Sequence, residues 1–425
     1  MPVPGTASAA ISAPFSWRRN LYVMWTTQVL AVVGFSVVMP ILSLYVRELG
    51  VQGEQEVRLW SGIVYSAHAV TMAIFGPIWG AVSDRVGRKP MVERAMFGGA
   101  ILIALMGAAQ NIQQLVILRA LQGAVTGVVT AANALIATST PRRHAGYALG
   151  LMQMGLYAGA AVGPLLGGVI SDQFGYRVSF YVTGALLLLA GIAVALLVEE
   201  HFERPSVPVT EARVGAWNGF RRQIAPVVSS AAVMLVLFVQ LVTRLGMQIP
   251  SPVLSLFVES LMRPGARVAS TTGLISGASA AAGAIGAMWL GRLGDRYSHG
   301  RVILVCSLLS ILGYALHPFV SRPGHLIPLQ AITGFAMGGV IAALAVLLME
   351  LSPKGQEGMV YGVSGTAMSM GNALGPLLGS ALAAWWGLRV PFVAAAVAFA
   401  ASALIALRYL PTTRQVSVPG ESLGN

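Results

Sequence analysis

Twelve long apolar runs, separated by short polar loops, constrain this chain more than any other feature. A helix needs about 20 apolar residues to cross the hydrocarbon core of a bilayer. Only 10% of the residues are charged, whereas a soluble domain carries about 25%. We therefore predict an all-α membrane protein with twelve transmembrane helices. The predicted spans are 21–46, 59–82, 91–111, 113–138, 145–171, 176–198, 226–258, 268–291, 300–320, 326–351, 358–385 and 388–410.

The longest polar stretch, Glu199–Gln223, divides the runs into two groups of six. We predict a six-helix bundle over 1–198, a cytoplasmic linker over 199–225 and a second six-helix bundle over 226–425. The first apolar run is too long for the h-region of a signal peptide. We therefore expect it to stay as the first membrane helix.

Arginine and lysine collect in alternate loops. Arg85, Arg88 and Lys89 share one loop, and Arg142 and Arg143 share the next loop on the same predicted side. Loops rich in these residues stay in the cytoplasm, so we predict a multi-pass protein with both termini cytoplasmic. The net charge of +12 is spread over many short loops and forms no single basic patch, so we expect no nucleic-acid partner.

The two groups of runs repeat each other in sequence. Pro40-Ile-Leu-Ser-Leu-Tyr-Val matches Pro252-Val-Leu-Ser-Leu-Phe-Val, and Gly163-Pro-Leu-Leu-Gly matches Gly375-Pro-Leu-Leu-Gly. Asp84-Arg85 falls on Asp295-Arg296 in the same register. Two parallel six-helix halves with a binding site between them are a known transporter architecture. The repeat therefore predicts two pseudo-symmetric bundles.

Three motifs resemble the major facilitator superfamily, and the resemblance covers essentially the whole chain. Gly80–Pro90 is similar to its loop between helices 2 and 3. Leu118-Arg119-Ala-Leu-Gln122-Gly123 with Gly127 is similar to its helix-4 motif. The helix-5 pattern of Gly155, Gly159, Gly163, Pro164, Gly167 and Gly168 resembles the motif of drug:proton antiporters.

Shorter matches, such as Trp60-Ser-Gly-Ile-Val and Val38-Met-Pro, resemble bacterial multidrug exporters of fluoroquinolone and fosfomycin resistance. The resemblance implies a bacterial inner-membrane protein that exports amphipathic small molecules by proton-coupled antiport and alternating access. It implies no enzyme activity, cofactor or metal, and a monomer whose partners are substrate, protons and lipid. The alternative that it leaves open is a proton-coupled lipid or glycolipid flippase on the same fold.

The resemblance also implies a conformational latch in the Gly80–Pro90 loop. Its predicted residues are Gly80, Asp84, Arg85, Gly87, Arg88 and Lys89, with a weaker copy at Asp295 and Arg296. Asp84 would interact with the positive N-terminal end of helix 11 near Gln356–Gly358 when the cytoplasmic side is closed. The alternative is a positive loop that sets topology alone.

The helix-5 motif predicts a ridge of small residues. Glycines four apart share one helix face and allow close helix packing, and Pro164 bends the helix. Packing of this ridge against the other half would seal the leak path that an antiporter must avoid. Ordinary tight packing is the alternative.

Proton coupling needs an ionisable group, but no Asp or Glu lies in the middle of a predicted span. The candidates are Arg119, His68, Glu48, Glu259 and Glu350. Arg119 is costly in lipid, although its shallow position also allows it to reach the outer surface. His68 lies near mid-depth and titrates near neutral pH, but a lone histidine is often only hydrogen-bonded. The three glutamates fall at span ends, where solvation is the alternative.

Polar, methionine and aromatic residues in the spans are candidates for a substrate cavity. Methionine suits adaptable apolar contacts, and an unpaired arginine at position 244 would favour anionic or zwitterionic cargo, with a structural pairing as the alternative. The predicted cavity residues are Gln28, Met39, Tyr65, Tyr157, Arg244, Gln248, Met337 and Asn372. A membrane-embedded enzyme would need a catalytic triad, a metal cluster or paired carboxylates at depth, and the sequence contains none of these patterns.

Replacing Asp84 with Asn should remove the charge that interacts with the helix terminus. A charge at a helix N-terminus is worth about 0.3–1 kcal/mol, so we expect the cytoplasmic-open population to rise several-fold and turnover to slow. Cysteine probes on the cytoplasmic side measure this population. Asp295→Asn, in the weaker copy, should have a smaller effect, and unchanged probe reactivity in Asp84→Asn would contradict the latch.

Overall fold

The computed structural model describes residues 17–200, 229–352 and 357–409 of the 425-residue chain. These residues fold into α-helices joined by short turns. The helices are α1 (Trp17–Val38), α2 (Leu42–Glu48), α3 (Glu54–Val86), α4 (Lys89–Gly107), α5 (Ile112–Val125), α6 (Val128–Ser139), α7 (Ala145–Phe174), α8 (Tyr176–Leu197), α9 (Ala231–Gln248), α10 (Leu254–Ser260), α11 (Val268–Arg296), α12 (His299–Leu316), α13 (Leu326–Leu351), α14 (Glu357–Trp386) and α15 (Val390–Tyr409).

The predicted all-α membrane fold is confirmed. Within the described residues, eleven helices or consecutive helix pairs are long and apolar enough to cross a membrane. α14 is 30 residues long and packs beside α3, which accounts for the twelfth predicted span. Most of the predicted linker, from residue 201 onward, lies outside the described residues.

Three predicted spans are interrupted where the sequence carries proline or glycine. A 3₁₀ turn at Met39–Ile41 separates α1 from α2, and Pro250 and Pro252 fall between α9 and α10. Proline lacks the N–H that continues a helix, which explains both breaks. Because Pro40 and Pro252 are equivalent in the repeat, the two breaks fall at matching places. α5 and α6 separate at Gly127, whose φ of +126° favours glycine.

The buried core falls into separate clusters. One joins buried residues between Leu21 and Val198 and takes in Leu256 and Ala269. Two others are formed by residues between Val233 and Ala406. We refer to residues 17–200 as the first half and to residues 229–409 as the second half.

The halves are bonded to each other at one end of the bundle, here named the closed end. Ser43 donates to the carbonyl of Pro252 at 2.6 Å, and Arg47 forms an ion pair with Glu259 at 2.6 Å. Arg58 on α3 donates to the carbonyl of Ala383 on α14 at 3.0 Å. Position 47 in the first repeat corresponds to position 259 in the second, so this ion pair joins equivalent points of the two halves.

Asp172 adds a contact of a different kind at the closed end. It lies near the end of α7, and its carboxylate accepts hydrogen bonds from the backbone N–H groups of Ala269 at 3.2 Å and Ser270 at 2.7 Å. These residues form the first turn of α11 in the other half. The first N–H groups of a helix have no partner within the helix, and the helix dipole favours an anion there. Asp172 therefore caps α11 across the interface.

The opposite end, here named the open end, is where the loop between α3 and α4 lies. Most side chains of α3 from Val70 to Val86 are exposed. A methyl group built on Gly76 or Gly80 of α3, Gly146 or Gly150 of α7, or Gly362 of α14 would meet no neighbouring atom within 4 Å. The helices that touch closely at the closed end therefore separate at this end.

Replacing Asp172 with Asn should weaken the closed end by removing the charge at the start of α11. For an interaction of about 1 kcal/mol, the population with this end open should rise about five-fold. A cysteine introduced at Ser270 measures it through thiol labelling, with Cys306 replaced by Ser. Gln173→Ala, an exposed neighbour, is the matched control. Equal labelling rates in Asp172→Asn and the control would contradict the cross-interface cap.

Candidate functional site

A cavity of about 450 Å³ lies between the two halves. The 3₁₀ turn, α3 and α5 line it from the first half, and α9, α10, α11 and α14 line it from the second. Its lining residues are Met39, Pro40, Tyr65, His68, Ala69, Met72, Arg119, Arg244, Gln248, Ser251, Leu254, Ser255, Thr272, Ser276, Ser369, Asn372 and Pro376. Arg119 from the first half and Arg244 from the second half therefore line the same cavity.

A second cavity of about 320 Å³ adjoins the first and shares Ser251, Leu254 and Ser276 with it. α7 contributes Tyr157, and α12 and α13 contribute Tyr314 and Met337. The remaining lining is largely small or apolar. The two cavities together join a polar region to an apolar region, which suits an amphipathic molecule.

Arg119 is held in the interior by its own half. Its side chain is 2% exposed, so it does not reach the outer surface, which was the alternative. The guanidinium donates to the carbonyl of Val64 at 3.3 Å and to the side chain of Gln122 at 2.7 Å. Both acceptors are neutral, so these bonds orient the positive charge without cancelling it.

Arg244 lies where α9 packs against α14. Its Nε donates to Oδ1 of Asn372 at 2.8 Å. A methyl group on Gly371 would lie 2.7 Å from Cβ of Arg244, so the glycine lets the arginine pass close to α14. Arg244 and Asn372 were predicted separately, and the structure joins them in one hydrogen-bonded pair.

His68 and Tyr65 line the cavity from adjacent turns of α3. The Tyr65 hydroxyl donates to the carbonyl of Met39 at 2.6 Å. The Nδ1 atom of His68 is buried and has no hydrogen-bond partner. Unpaired buried polar atoms are uncommon and are often found at functional sites, so His68 keeps its place among the proton-coupling candidates.

The glutamate candidates lie at the ends of helices. Glu48 pairs with Arg177 at 3.2 Å, Glu259 pairs with Arg47, and Glu350 lies 3.7 Å from His299. None of the three lines either cavity. Their partly exposed side chains at the helix ends fit the alternative of solvation, and no lining residue of the two described cavities is Asp or Glu.

The cavity candidates separate into three groups. Met39, Tyr65, Arg244, Gln248 and Asn372 line the larger cavity, while Tyr157 and Met337 line the smaller one. Gln28 lines neither, because its side chain is buried and donates to the carbonyl of Met152 on α7 at 2.7 Å. It joins α1 to α7.

The charges of the Gly80–Pro90 loop are bonded within the first half. Asp84 is exposed and lies 3.6 Å from Arg88. Lys89 donates from Nζ to the carbonyl of Ala195, and Glu200 accepts from the backbone N–H groups of Arg88 and Lys89. Gly87 has a φ of +104°, which explains the glycine. The latch partner was predicted near 356–358, where residue 356 and the side chain of Glu357 lie outside the description.

The weaker copy of the latch is described in part. Asp295 and Arg296 form the last turn of α11, where Arg296 is exposed and the side chain of Asp295 lies outside the description. A latch role for either copy stays a prediction.

The helix-5 glycines face a different neighbour from the one expected. Methyl groups on Gly155, Gly159, Gly163 and Gly167 would collide with α1 of the same half, between Trp25 and Val37. Gly168 is different, because its methyl group would lie 2.3 Å from the carbonyl of Ala269 in the other half. The other-half packing expected of the whole ridge thus falls to Gly168 and to Pro164, whose carbonyl approaches Gly273.

Sequence reasoning missed two groups of residues. The first comprises the hydroxyl residues Ser251, Ser255, Thr272 and Ser276, which line the larger cavity. Thr272 and Ser276 lie four residues apart on one face of α11, whereas Ser251 precedes α10, and serine is common in membrane helices and gives a weak signal. The second is Asp172, whose partner lies in the other half.

Comparisons with known proteins decide the family. The model described as Major Facilitator Superfamily matches residues 24–261 and 236–424. The chain belongs to this superfamily. It is 36% identical over 386 residues to the multidrug resistance protein MdtG of Dickeya zeae strain Ech586, covering 91% of this chain and 93% of the relative. It is 35% identical to MdtG of Enterobacter lignolyticus strain SCF1, covering 97% of each chain.

Solved structures agree on the fold. A bacterial homologue of the human lysosomal transporter Spinster, in an inward-facing and occupied conformation, has a TM-score of 0.73 at 16% identity and covers 93% of this chain and 97% of its own. A D-xylose–proton symporter has a TM-score of 0.72 at 14% identity and covers 94% of this chain and 99% of its own.

The protein is therefore a multi-pass membrane transporter of small molecules, related to a multidrug resistance protein, and its family is not one of enzymes. No group of three metal-ligating side chains is found within the described residues.

Replacing Gly273 with Ala should disrupt a close contact between the two halves at the closed end, because the new methyl would lie 2.1 Å from the Pro164 carbonyl. The population with the closed end apart should rise about five-fold or more, as overpacking commonly costs 1–3 kcal/mol. Thiol labelling at Ser270→Cys, with Cys306 replaced by Ser, measures this shift. The control is Gly76→Ala, where nothing lies within 4 Å. Equal labelling rates in the two variants would show that the contact between Pro164 and Gly273 does not hold the closed end together.

Proposed function

We propose that this protein is a proton-coupled exporter of amphipathic small molecules that works by alternating access. The observation that carries the proposal is the position of the cavities. They lie between two halves that are bonded at one end and separated at the other. A rocking motion would expose them to each side in turn.

In this proposal, the halves over 1–198 and 226–425 move as units joined by the linker at 199–225. The open end is cytoplasmic, because it carries the basic loop Arg85–Lys89 together with both described chain ends, and such loops stay inside. The structure is then an inward-facing state in the inner membrane of a bacterium. A monomer suffices, since one chain supplies both walls of the cavity.

The latch and the Asp172 cap take opposite roles in this cycle. Asp172 stabilises the inward-facing state by capping α11. Asp84 and its loop would stabilise the outward-facing state by reaching the start of α14 once the cytoplasmic side closes. The bonding of Lys89 and Arg88 within the first half fits a latch that is disengaged.

Proton coupling is assigned to the pair of His68 and Arg119. Both line the larger cavity, and histidine is the side chain whose charge ordinarily changes near neutral pH. The glutamates at the helix ends are held in pairs away from substrate. Arg119 contributes a constant positive charge to the same cavity. Protonation of His68 adds a second positive charge beside it and so changes the charge that a substrate meets.

The export of drugs is supported by the similarity to MdtG, which is named as a multidrug resistance protein. The polar and apolar parts of the joined cavities also favour an amphipathic substrate. Methionines at positions 39, 72, 247 and 337 would adapt to different shapes.

The test is transport in proteoliposomes under an imposed pH gradient, with labelled cationic, neutral and anionic amphiphiles. Wild-type protein should accumulate at least one probe against its gradient. His68→Gln should retain exchange of that probe without a pH gradient but lose gradient-driven accumulation, because glutamine cannot take up the proton that histidine binds near neutral pH.

His325→Gln, at an exposed position away from the cavities, is the matched control and should transport like the wild type. If no probe responds to the pH gradient in the wild type, proton antiport is wrong. Wild-type accumulation by His68→Gln would instead show that His68 is not the coupling residue.

A further inference from the structure

The larger cavity carries two positive charges and lacks a matching negative one. Arg119 comes from the first half and Arg244 from the second, and the lining residues include no Asp or Glu. Among the described residues, neither guanidinium has a carboxylate within 4.0 Å. The cavity therefore has a positive potential within the membrane interior.

The local hydrogen bonds leave donors available on both side chains. Arg119 donates two bonds and Arg244 donates one to oxygen. A guanidinium has five N–H donors in a fixed planar fork, and that fork matches the two oxygens of a carboxylate or phosphate. The acceptors already bonded, at Val64, Gln122 and Asn372, are neutral and hold the forks in place.

A buried charge without a counterion is costly, and this cost is the reason that charged groups within a membrane are usually paired or functional. Here an anionic ligand would supply the missing partner. A cationic ligand would add a third positive charge to a region of low dielectric, where repulsion is strong.

The surroundings of the arginines define the rest of the ligand. Ser251, Ser255 and Ser276 add hydroxyl groups beside them. Met72 and Leu254 offer apolar contacts in the larger cavity, and the adjoining smaller cavity extends this apolar surface past Met247 to Met337. A ligand with one anionic head and one apolar tail fits both regions.

We propose that the anionic head group of an amphipathic substrate binds between Arg119 and Arg244, with its tail in the adjoining cavity. This proposal rests on the proposed function, because it takes this cavity as the transport site. The substrate class is then amphipathic carboxylates and phosphate esters. A free soluble amphiphile and a membrane lipid with an anionic head group share this chemistry.

Binding is measured by calorimetry on the full chain in nanodiscs, with empty nanodiscs as the background. The probes share one tail and differ in the head: octanoate, octyl phosphate, octyl glucoside and octyltrimethylammonium, each below its micelle concentration. The two anions should bind at least ten-fold more tightly than the neutral probe, and the cation should bind most weakly.

Arg244→Gln tests the contact, because this residue is less enclosed than Arg119 and its variant is expected to fold. Loss of a charged hydrogen-bonding partner should weaken the binding of both anions by about 10- to 100-fold and leave octyl glucoside unchanged. Arg244→Lys should recover part of the loss. Arg322→Gln, at an exposed position outside the cavities, is the control, and thermal melting confirms that each variant is folded.

Two results would overturn the proposal. One is tighter binding of octyltrimethylammonium than of the anions. The other is an equal loss for all probes in Arg244→Gln, which would mean that the arginine acts only by packing against Gly371.

Transport separates this proposal from the one on which it rests. Outward movement of an anion is also driven by an interior-negative potential, so pH gradient and potential are imposed separately. Gradient-driven transport of the cation without anion binding would contradict the anion site and leave the proposal of an exporter standing. Anion binding without gradient-driven transport of any probe would contradict proton-coupled export and leave the proposal of an anion site standing.

A third arm distinguishes the two sources of the anion. Proteoliposomes receive a fluorescent phosphatidylglycerol, and its movement between leaflets is compared with the transport of octyl phosphate. Movement of the lipid at a rate that falls in Arg244→Gln would assign the site to a lipid head group. Transport of octyl phosphate alone would assign it to soluble amphiphiles.

Discussion

The structure depends on the contacts that hold two bundles of helices together inside a membrane. The hydrophobic effect does not drive this association, because helix contact there expels lipid and not water. Lipid chains are as apolar as leucine, so membrane helices associate through close packing and hydrogen bonds. The closed end uses both. Gly168 and Gly273 let α7 and α11 pack so closely that each glycine lies against a backbone carbonyl of the other helix. Asp172 then reaches the first turn of α11. The second contact needs the first, because the cap forms only if the helices touch.

The same constraint explains the open end. Helices that are in contact near Gly62 and Gly168 diverge toward Gly80 and Gly150, where a methyl group on either glycine would meet no atom of another helix within 4 Å. The cavities occur where the contacts between the two halves at the closed end stop. Polar side chains there line the cavities, and Arg119 and Arg244 are kept in the interior among them. The closed end, the cavities and the open end are thus consequences of one set of contacts between the halves, which forms at one end only.

Much of the fold could be predicted because it follows from local composition. Apolar runs gave the helices, and Pro40 and Pro252 marked equivalent breaks in the repeat. The site was less accessible to the same reasoning. Met39, Tyr65, Arg244 and Asn372 are lining residues whose polarity or shape made them candidates, and their contact with substrate stays a prediction.

Other features depend on partners far away in the sequence. Gln28 was expected in the cavity, but the carbonyl of Met152 lies within its reach. Nothing around Asp172 indicates that residues 269 and 270 will be its partners. The neighbour of each helix-5 glycine likewise depends on which face of α7 meets α1. Such pairings are set by packing and not by any local pattern.

The central claim is that the two halves rock about the cavity, so that one end closes as the other opens. Electron-spin distance measurements on α3 and α14 test it directly, with one label pair at Val86 and Tyr361 and another at Gln55 and Trp385, in a protein with Cys306 replaced by Ser. When pH or ligand is changed, the account predicts that the 86–361 distance shortens while the 55–385 distance lengthens. Distances that change in the same direction, or a closed-end distance that stays fixed while substrate is transported, would contradict it.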